Sequence, residues 1–171
     1  HYFIEMNARI QVEHTVTEMR ADRDLLQAQL YLLTHGELPF TQKDILFNVH
    51  VIEARINAEN PEKNFLPTPG KVNKLHLPQG FNIRVDSLLY TGYQVSPYYD
   101  SLVAKVIVKD SNRQTAINKL KVALDEMVIE GFTTTADFLY AVLNYPIYAK
   151  GDASKVDIKF LEKHQIIKEV K

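Results

Sequence analysis

Between Glu5 and Glu13 a polar residue recurs at every second position: Glu5, Asn7, Arg9, Gln11 and Glu13. Met6, Ala8, Ile10 and Val12 fill the places between them. A period of two predicts a strand over Phe3 to Glu13 with one wet and one apolar face. Most such strands simply turn their polar side to solvent. The residue types here point further. A carboxylate and an amide oxygen two residues apart stand about 6.6 Å from each other along a strand. Both are hard oxygen ligands suited to Mg²⁺. Arg9 follows with a fixed guanidinium fork, then Gln11, then a second carboxylate in Glu13. A site that handles a phosphate and a small carboxylate-like anion would use every member of that series.

The elements that must hold these residues can be read along the chain. A helix is predicted from Thr17 to Thr34, with Leu25, Leu26, Leu30 and Leu33 as its apolar stripe and Gly36 as its stop. Pro39 opens a linker to Asp44. Asn48 to Ala58 reads as a strand rich in β-branched residues, broken by Asn60-Pro61. Phe65 to Gly70 is a loop by its prolines. Lys71–Leu77 and Phe81–Leu89, separated by Pro78-Gln79-Gly80, suit a hairpin. Ser101 to Lys109 is a further strand. Ser111 or Asn112 caps a helix running to Glu130 and stopped by Gly131. A short helix follows over Thr135 to Asn144, and a charged helical tail over Asp157 to Lys171. Strands in consecutive pairs with grouped helices give an α+β class, mainly antiparallel sheet with flanking helices. Residues 1–40 read as the end of one domain and residues 41–171 as a second.

Composition narrows the function. The 171 residues are 46% hydrophobic and 24% charged, an ordinary globular balance. Twenty basic residues against 21 acidic leave no excess for a polyanion-binding surface, so no nucleic-acid partner is expected. No run approaches the length of a membrane span. The absence of cysteine excludes disulfides, a thiolate zinc site and a Cys nucleophile, and fits a reducing, cytoplasmic setting. The six glycines are never closer than ten residues, so the chain carries no glycine cradle for phosphates. It opens at His1 inside the predicted strand with no signal peptide, which reads as a part of something larger whose strand neighbour lies upstream.

Phe3-Ile4-Glu5-Met6-Asn7-Ala8-Arg9-Ile10 resembles the second signature of the carbamoyl-phosphate-synthetase-like ATP-grasp enzymes, and its extension Gln11-Val12-Glu13-His14 looks like biotin carboxylase. Three later runs are similar to the same family, in the family's order: Glu53 to Pro61, Phe65 to Gly70, and Pro97 to Leu102. Thr15 departs from the pattern, standing where many members have proline. The resemblance implies the end of an ATP-grasp domain followed by the biotin carboxylase C-terminal domain. It also implies a reaction: ATP, bicarbonate and protein-linked biotin give carboxybiotin through carboxyphosphate.

Carried across residue by residue, Glu5 and Asn7 look like ligands for Mg²⁺ or Mn²⁺ bridging to ATP. Glu13 looks like the base that takes the bicarbonate proton. Arg9 resembles the arginine that clamps bicarbonate and steadies biotin, and Gln11 with the Val12 backbone lines the bicarbonate pocket. Arg84 is similar to the family's second arginine, although from its strand alone it would pair with Asp86. Glu53, Arg55, Asp100, Lys105 and His14 read as structural. The implied partners are a biotin carboxyl carrier protein, carboxyltransferase subunits and the upstream part of the same enzyme. A homodimer is expected by analogy alone. The polar tail favours a subunit of acetyl-CoA carboxylase, in fatty acid biosynthesis, with pyruvate carboxylase or another acyl-CoA carboxylase as the alternative. The chain by itself is expected to be inactive, a folded interaction module.

Overall fold

The computed structural model describes residues 2–151, 155–164 and 166. In chain order its helices and strands are α1 (His14–Ala21), α2 (Leu25–His35), β1 (His50–Asn57), β2 (Glu59–Asn60), β3 (Leu66–Pro67), β4 (Lys74–His76), β5 (Ile83–Ser87), β6 (Leu102–Asp110), α3 (Arg113–Glu126), β7 (Val128–Glu130), α4 (Ala136–Asn144), α5 (Pro146–Lys150) and α6 (Phe160–His164).

The centre is a three-stranded antiparallel sheet in the order β1-β6-β5. β6 is nearly continuous in Val, Ile and Ala because both of its edges are paired and both of its faces are covered. Its register sorts the side chains. Ala54, Ile56, Val85, Ala104, Val106 and Val108 point to one face, where α3 lies over them with Ile117, Leu120 and Leu124 buried. A fully buried Ile or Leu contributes about 1.5–3 kcal/mol of transfer free energy, so this layer dominates the stability of the domain. α3 starts where the Asn112 side chain accepts the Thr115 N–H at 3.0 Å. A smaller cluster of Phe138, Phe160 and Ile166 closes the C-terminal end.

The opposite face of the sheet is polar. Arg55 and Asp86 both register against Lys105, and Glu53 and Arg84 both register against Ile107. Four charged residues on β1 and β5 therefore flank one cation and one buried isoleucine on β6. α1 is the element packed on this face.

Four local expectations are corrected. Phe3 to Glu13 is not a strand: no ladder forms along it among the described residues, and Tyr2, Phe3, Ile4 and Met6 stand exposed. A strand needs a neighbour to take its N–H and C=O groups. The single helix predicted over Thr17–Thr34 is two, because Asp22 takes a left-handed conformation (φ 54°) and Asp24 caps a new helix by accepting the Gln27 N–H at 2.7 Å. The hairpin expected of Lys71–Leu77 and Phe81–Leu89 does not form. β4 pairs instead with β7, and β5 with β6. β7 lies where the sequence predicts the end of a helix. Gly131 permits the first of these pairings: it sits at φ +123°, and a Cβ there would lie 1.8 Å from the Lys71 carbonyl oxygen. The tail beyond His164 lies outside the described residues except for Ile166.

Candidate active site

α1 begins directly after Glu13, the last of the alternating polar residues. Its residues Thr15 and Glu18, three apart and hence on one face, are buried against the polar side of the sheet. A buried carboxylate must be paired and hydrogen-bonded to be tolerated. Glu18 meets that demand twice, accepting from Arg84 Nη1 at 2.6 Å and from the Leu25 N–H at 2.9 Å. Thr15 Oγ1 donates to Glu53 Oε2. Lys105, nearly buried, donates to the Val12 carbonyl at 3.0 Å and lies 3.6 Å from Asp86. His14 Nδ1 donates to the Gln11 carbonyl at 2.7 Å, which fixes the turn into the helix. The segment that carries the candidate chemistry is thus tied to the sheet at Val12, Thr15 and Glu18.

Glu13 itself meets Arg55, whose Nη2 lies 2.8 Å from Glu13 Oε2. Both side chains are about half exposed, 48% and 54%. An ion pair that open contributes at most about 1 kcal/mol to stability. Folding therefore gives little reason for it, whereas an accessible carboxylate beside a guanidinium is what chemistry on a small anion needs. Arg55 is held from both sides. Its Nε donates to Glu53 Oε1 at 3.3 Å, and its carbonyl accepts from Thr135 Oγ1 at 3.3 Å.

Arg84 is differently placed. Its Nε and Nη2 make a two-bond fork on Asp86, 2.8 and 2.9 Å, and Nη1 goes to Glu18. Asp86 above all, with Glu18 adding, holds the guanidinium far above its ordinary pKa despite partial burial. Burial would raise the Asp86 carboxyl, but the hydrogen bonds and charge of Arg84, then Lys105, bring it below the usual range. An arginine whose fork is filled reaches another anion only by leaving these partners.

Three of the expected residues lie along one open groove. Arg9, Gln11 and Glu13 line it with His14, Thr17, Leu25 and Gln29, around a volume of about 340 Å³. Arg9 is exposed and donates to the Ile10 carbonyl at 3.3 Å. Glu5 and Asn7 lie outside the groove, both exposed, joined by a 3.4 Å contact from Asn7 Nδ2 to Glu5 Oε1. That contact uses the amide N–H, and it is the Glu5 carboxylate and the Asn7 Oδ1 that would suit a hard cation whose other ligands are phosphate and water oxygens. No cluster of three or more His, Asp or Glu poised for a metal occurs among the described residues.

Three participants do not stand out in the sequence as site residues: Arg55, Thr15 and Lys105. A signal exists for Arg55. Glu53 and Arg55 alternate on a strand otherwise rich in Val and Ile, so they share a face that something polar must meet. What the strand does not show is that α1 and Glu13 meet it.

Comparison with known proteins places the chain in a family. Residues 53–163 match the biotin carboxylase C-terminal domain, and residues 1–40 match the carbamoyl-phosphate synthase L chain ATP binding domain. Biotin carboxylase 1 of Bacillus subtilis is 46% identical over 167 residues, which is 98% of this chain and 36% of the relative. A pyruvate carboxylase subunit of Methanothermobacter thermautotrophicus is 46% identical over 88% of this chain and 31% of its own length. Among solved structures, the biotin carboxylase domain dimer of Hydrogenobacter thermophilus 2-oxoglutarate carboxylase, in complex with MgADP, ADP and bicarbonate, superposes with a TM-score of 0.92 at 40% identity, covering 97% of this chain and 36% of that one. The chain spans about a third of the length of the curated relatives it matches.

Proposed function

The chain belongs to the biotin carboxylase family, and from that membership we propose that it is the C-terminal part of an ATP-dependent biotin carboxylase. The observation that carries the proposal is the half-exposed Glu13 carboxylate set 2.8 Å from the Arg55 guanidinium, in line with Arg9 and Gln11 along one groove. In this reading bicarbonate lies against Arg9, Gln11 and the Val12 backbone, and Glu13 takes its proton. Bicarbonate holds that proton far more tightly than a carboxylate does. Transfer therefore needs positive charge fixed beside the developing dianion. Arg55, in contact with Glu13, and Arg9, in the same groove, would supply it.

Glu5 and Asn7 would hold Mg²⁺ or Mn²⁺. The cation, when bound, neutralises phosphate charge on ATP. Biotin enters on a carrier protein. Its ureido oxygen gains charge as it is carboxylated, and a guanidinium again stabilises that charge. The strand motif predicts Arg84 in this role. The contact to Glu13 supports Arg55 instead, with Arg84 bracing α1 against β5.

The downstream context is proposed to be acetyl-CoA carboxylase in the cytoplasm, with carboxyltransferase subunits as partners. A second reading, a keto-acid carboxylase, draws support from two relatives at 46% and 41% identity, the first a subunit of pyruvate carboxylase, the second the small subunit of 2-oxoglutarate carboxylase.

Glu13→Gln in the full-length parent tests the central assignment. Gln keeps the shape and cannot accept a proton. Bicarbonate-dependent ATP cleavage is expected to fall at least a hundredfold, about 2.7 kcal/mol of transition-state stabilisation, with ATP binding retained by calorimetry. Cleavage at the parental rate would remove Glu13 as the base.

A further inference from the structure

We propose that Thr15 is a positioning residue: its hydroxyl occupies one oxygen of Glu53 and thereby leaves the Arg55 guanidinium free to hold Glu13. The inference rests on the reading of Glu13 and Arg55 given above, and goes beyond it to a residue that touches neither substrate nor base.

The argument concerns one edge of Arg55. The Nε–H and one Nη2–H of a guanidinium point the same way, spaced to match the two oxygens of a single carboxylate. Arg84 uses this edge in that manner, with Nε and Nη2 both on Asp86. Arg55 does not. Its Nε goes to Glu53 Oε1 and its Nη2 to Glu13 Oε2, so one edge is divided between two carboxylates. The division needs a cause, because Glu53 is the better-placed claimant. It lies two residues away on the same strand, and its side chain is 6% exposed, so water offers it little.

Thr15 supplies the cause. It is fully buried in the first turn of α1, and its Oγ1 donates to Glu53 Oε2. With Oε2 satisfied by the hydroxyl and Oε1 by Arg55 Nε, Glu53 has no unmet oxygen to turn toward Nη2. Without the hydroxyl, a buried carboxylate would be left with one bare oxygen, an unfavourable arrangement. Rotating Glu53 to take the whole guanidinium edge would relieve that cost, at the expense of the bond to Glu13. The neighbouring charge does not replace the hydroxyl, because Lys105, the cation in register with Arg55, is engaged with the Val12 carbonyl and Asp86.

The test is a double-mutant cycle in the full-length parent carboxylase, using Thr15→Val, Thr15→Ser, Arg55→Lys and the Thr15→Val/Arg55→Lys pair. Val keeps the shape of Thr without the hydroxyl, and Ser keeps the hydroxyl. Thr15→Val is expected to lower kcat/KM for bicarbonate three- to tenfold, with KM for MgATP unchanged and with recovery in Thr15→Ser. In the Arg55→Lys background, which has no fork to divide, the same change is expected to cost nothing further. An equal loss in both backgrounds would show a packing role and overturn the inference. So would full activity in Thr15→Val beside a damaged Arg55→Lys, with the reading of the site left intact. Full activity in Arg55→Lys would overturn the reading of the site, and the inference with it.

Discussion

Two arginines on the outer strands of the central sheet, Arg55 on β1 and Arg84 on β5, carry the same charge and differ in what fills each fork. Arg84 has all three of its contacting nitrogens on Asp86 and Glu18. Arg55 reaches past its own strand to Glu13. Replacing each with Lys separates their roles, since Lys keeps the charge and loses the planar fork. Arg55→Lys in the full-length parent is expected to lower kcat/KM for bicarbonate at least tenfold, about 1.4 kcal/mol. Arg84→Lys gives up bonds that pin α1 to β5, and a lower Tm is its leading expected effect. Steady-state kinetics and thermal melts on both variants check this. The reverse order, with the larger kinetic loss at Arg84, would return Arg84 to the anion site as its strand motif suggests. At this scale the sequence is informative about types: Arg9, Gln11 and Glu13 do share a groove. It is silent on which arginine Glu13 meets, because that contact spans 42 residues and depends on how α1 docks.

At the scale of elements, the sheet and α3 are legible in the sequence and the connections are not. β1, β6 and α3 announce themselves by β-branched runs and a capped apolar stripe. The break between α1 and α2 turns on two aspartates, Asp22 as a left-handed stop and Asp24 as a cap, inside a run that otherwise reads as one helix. The false hairpin arises because strand propensity marks β4 and β5 but does not say with whom they pair. Where β6 hands over to α3, the join rests on Asp110. Its carboxylate accepts the Ser111 N–H at 2.7 Å and pairs with Lys119 at 2.8 Å. The Lys119 hydrogen bond, then that of Ser111, lowers its pKa to about 2. A carboxyl depressed on folding stabilises the native state above its ordinary value of 3.8 and loses that effect as pH falls through its folded value. Asp110→Asn is therefore expected to melt below the parent protein at every pH above about 4. The gap should close as pH approaches about 2. Melting curves across that range check it, and a gap that persists at the acid end would assign the loss to something other than the charge.

At the scale of the whole molecule, the chain carries candidate groups for one half of the proposed site. The candidate base, the anion-binding groups and two oxygen donors are present, while no glycine cradle for phosphates occurs anywhere in the sequence. The apolar surface points the same way. Leu30 and Leu33 lie on one side of α2 at 66% and 82% exposure, and Phe3, Ile4 and Met6 are as open. Apolar groups exposed in such numbers mark a face that is covered in the working protein. The relatives extend well beyond the third of their length that this chain spans. The part of the parent that this chain lacks is therefore proposed as both the cover and the source of the nucleotide site. Three outcomes are expected. The isolated chain hydrolyses no ATP in the presence of bicarbonate. Mg²⁺ alone binds it no better than millimolar by calorimetry, since Glu5 and Asn7 supply only part of an octahedron. Mixing it with the separately produced remainder of the parent restores measurable bicarbonate-dependent ATP cleavage, and a Leu30→Asp/Leu33→Asp variant weakens that restoration. Charge on a face meant for an apolar partner blocks docking without touching Glu13 or Arg55. Restoration that is insensitive to this pair would move the docking face away from α2, and robust turnover by the chain alone would place a nucleotide site within it.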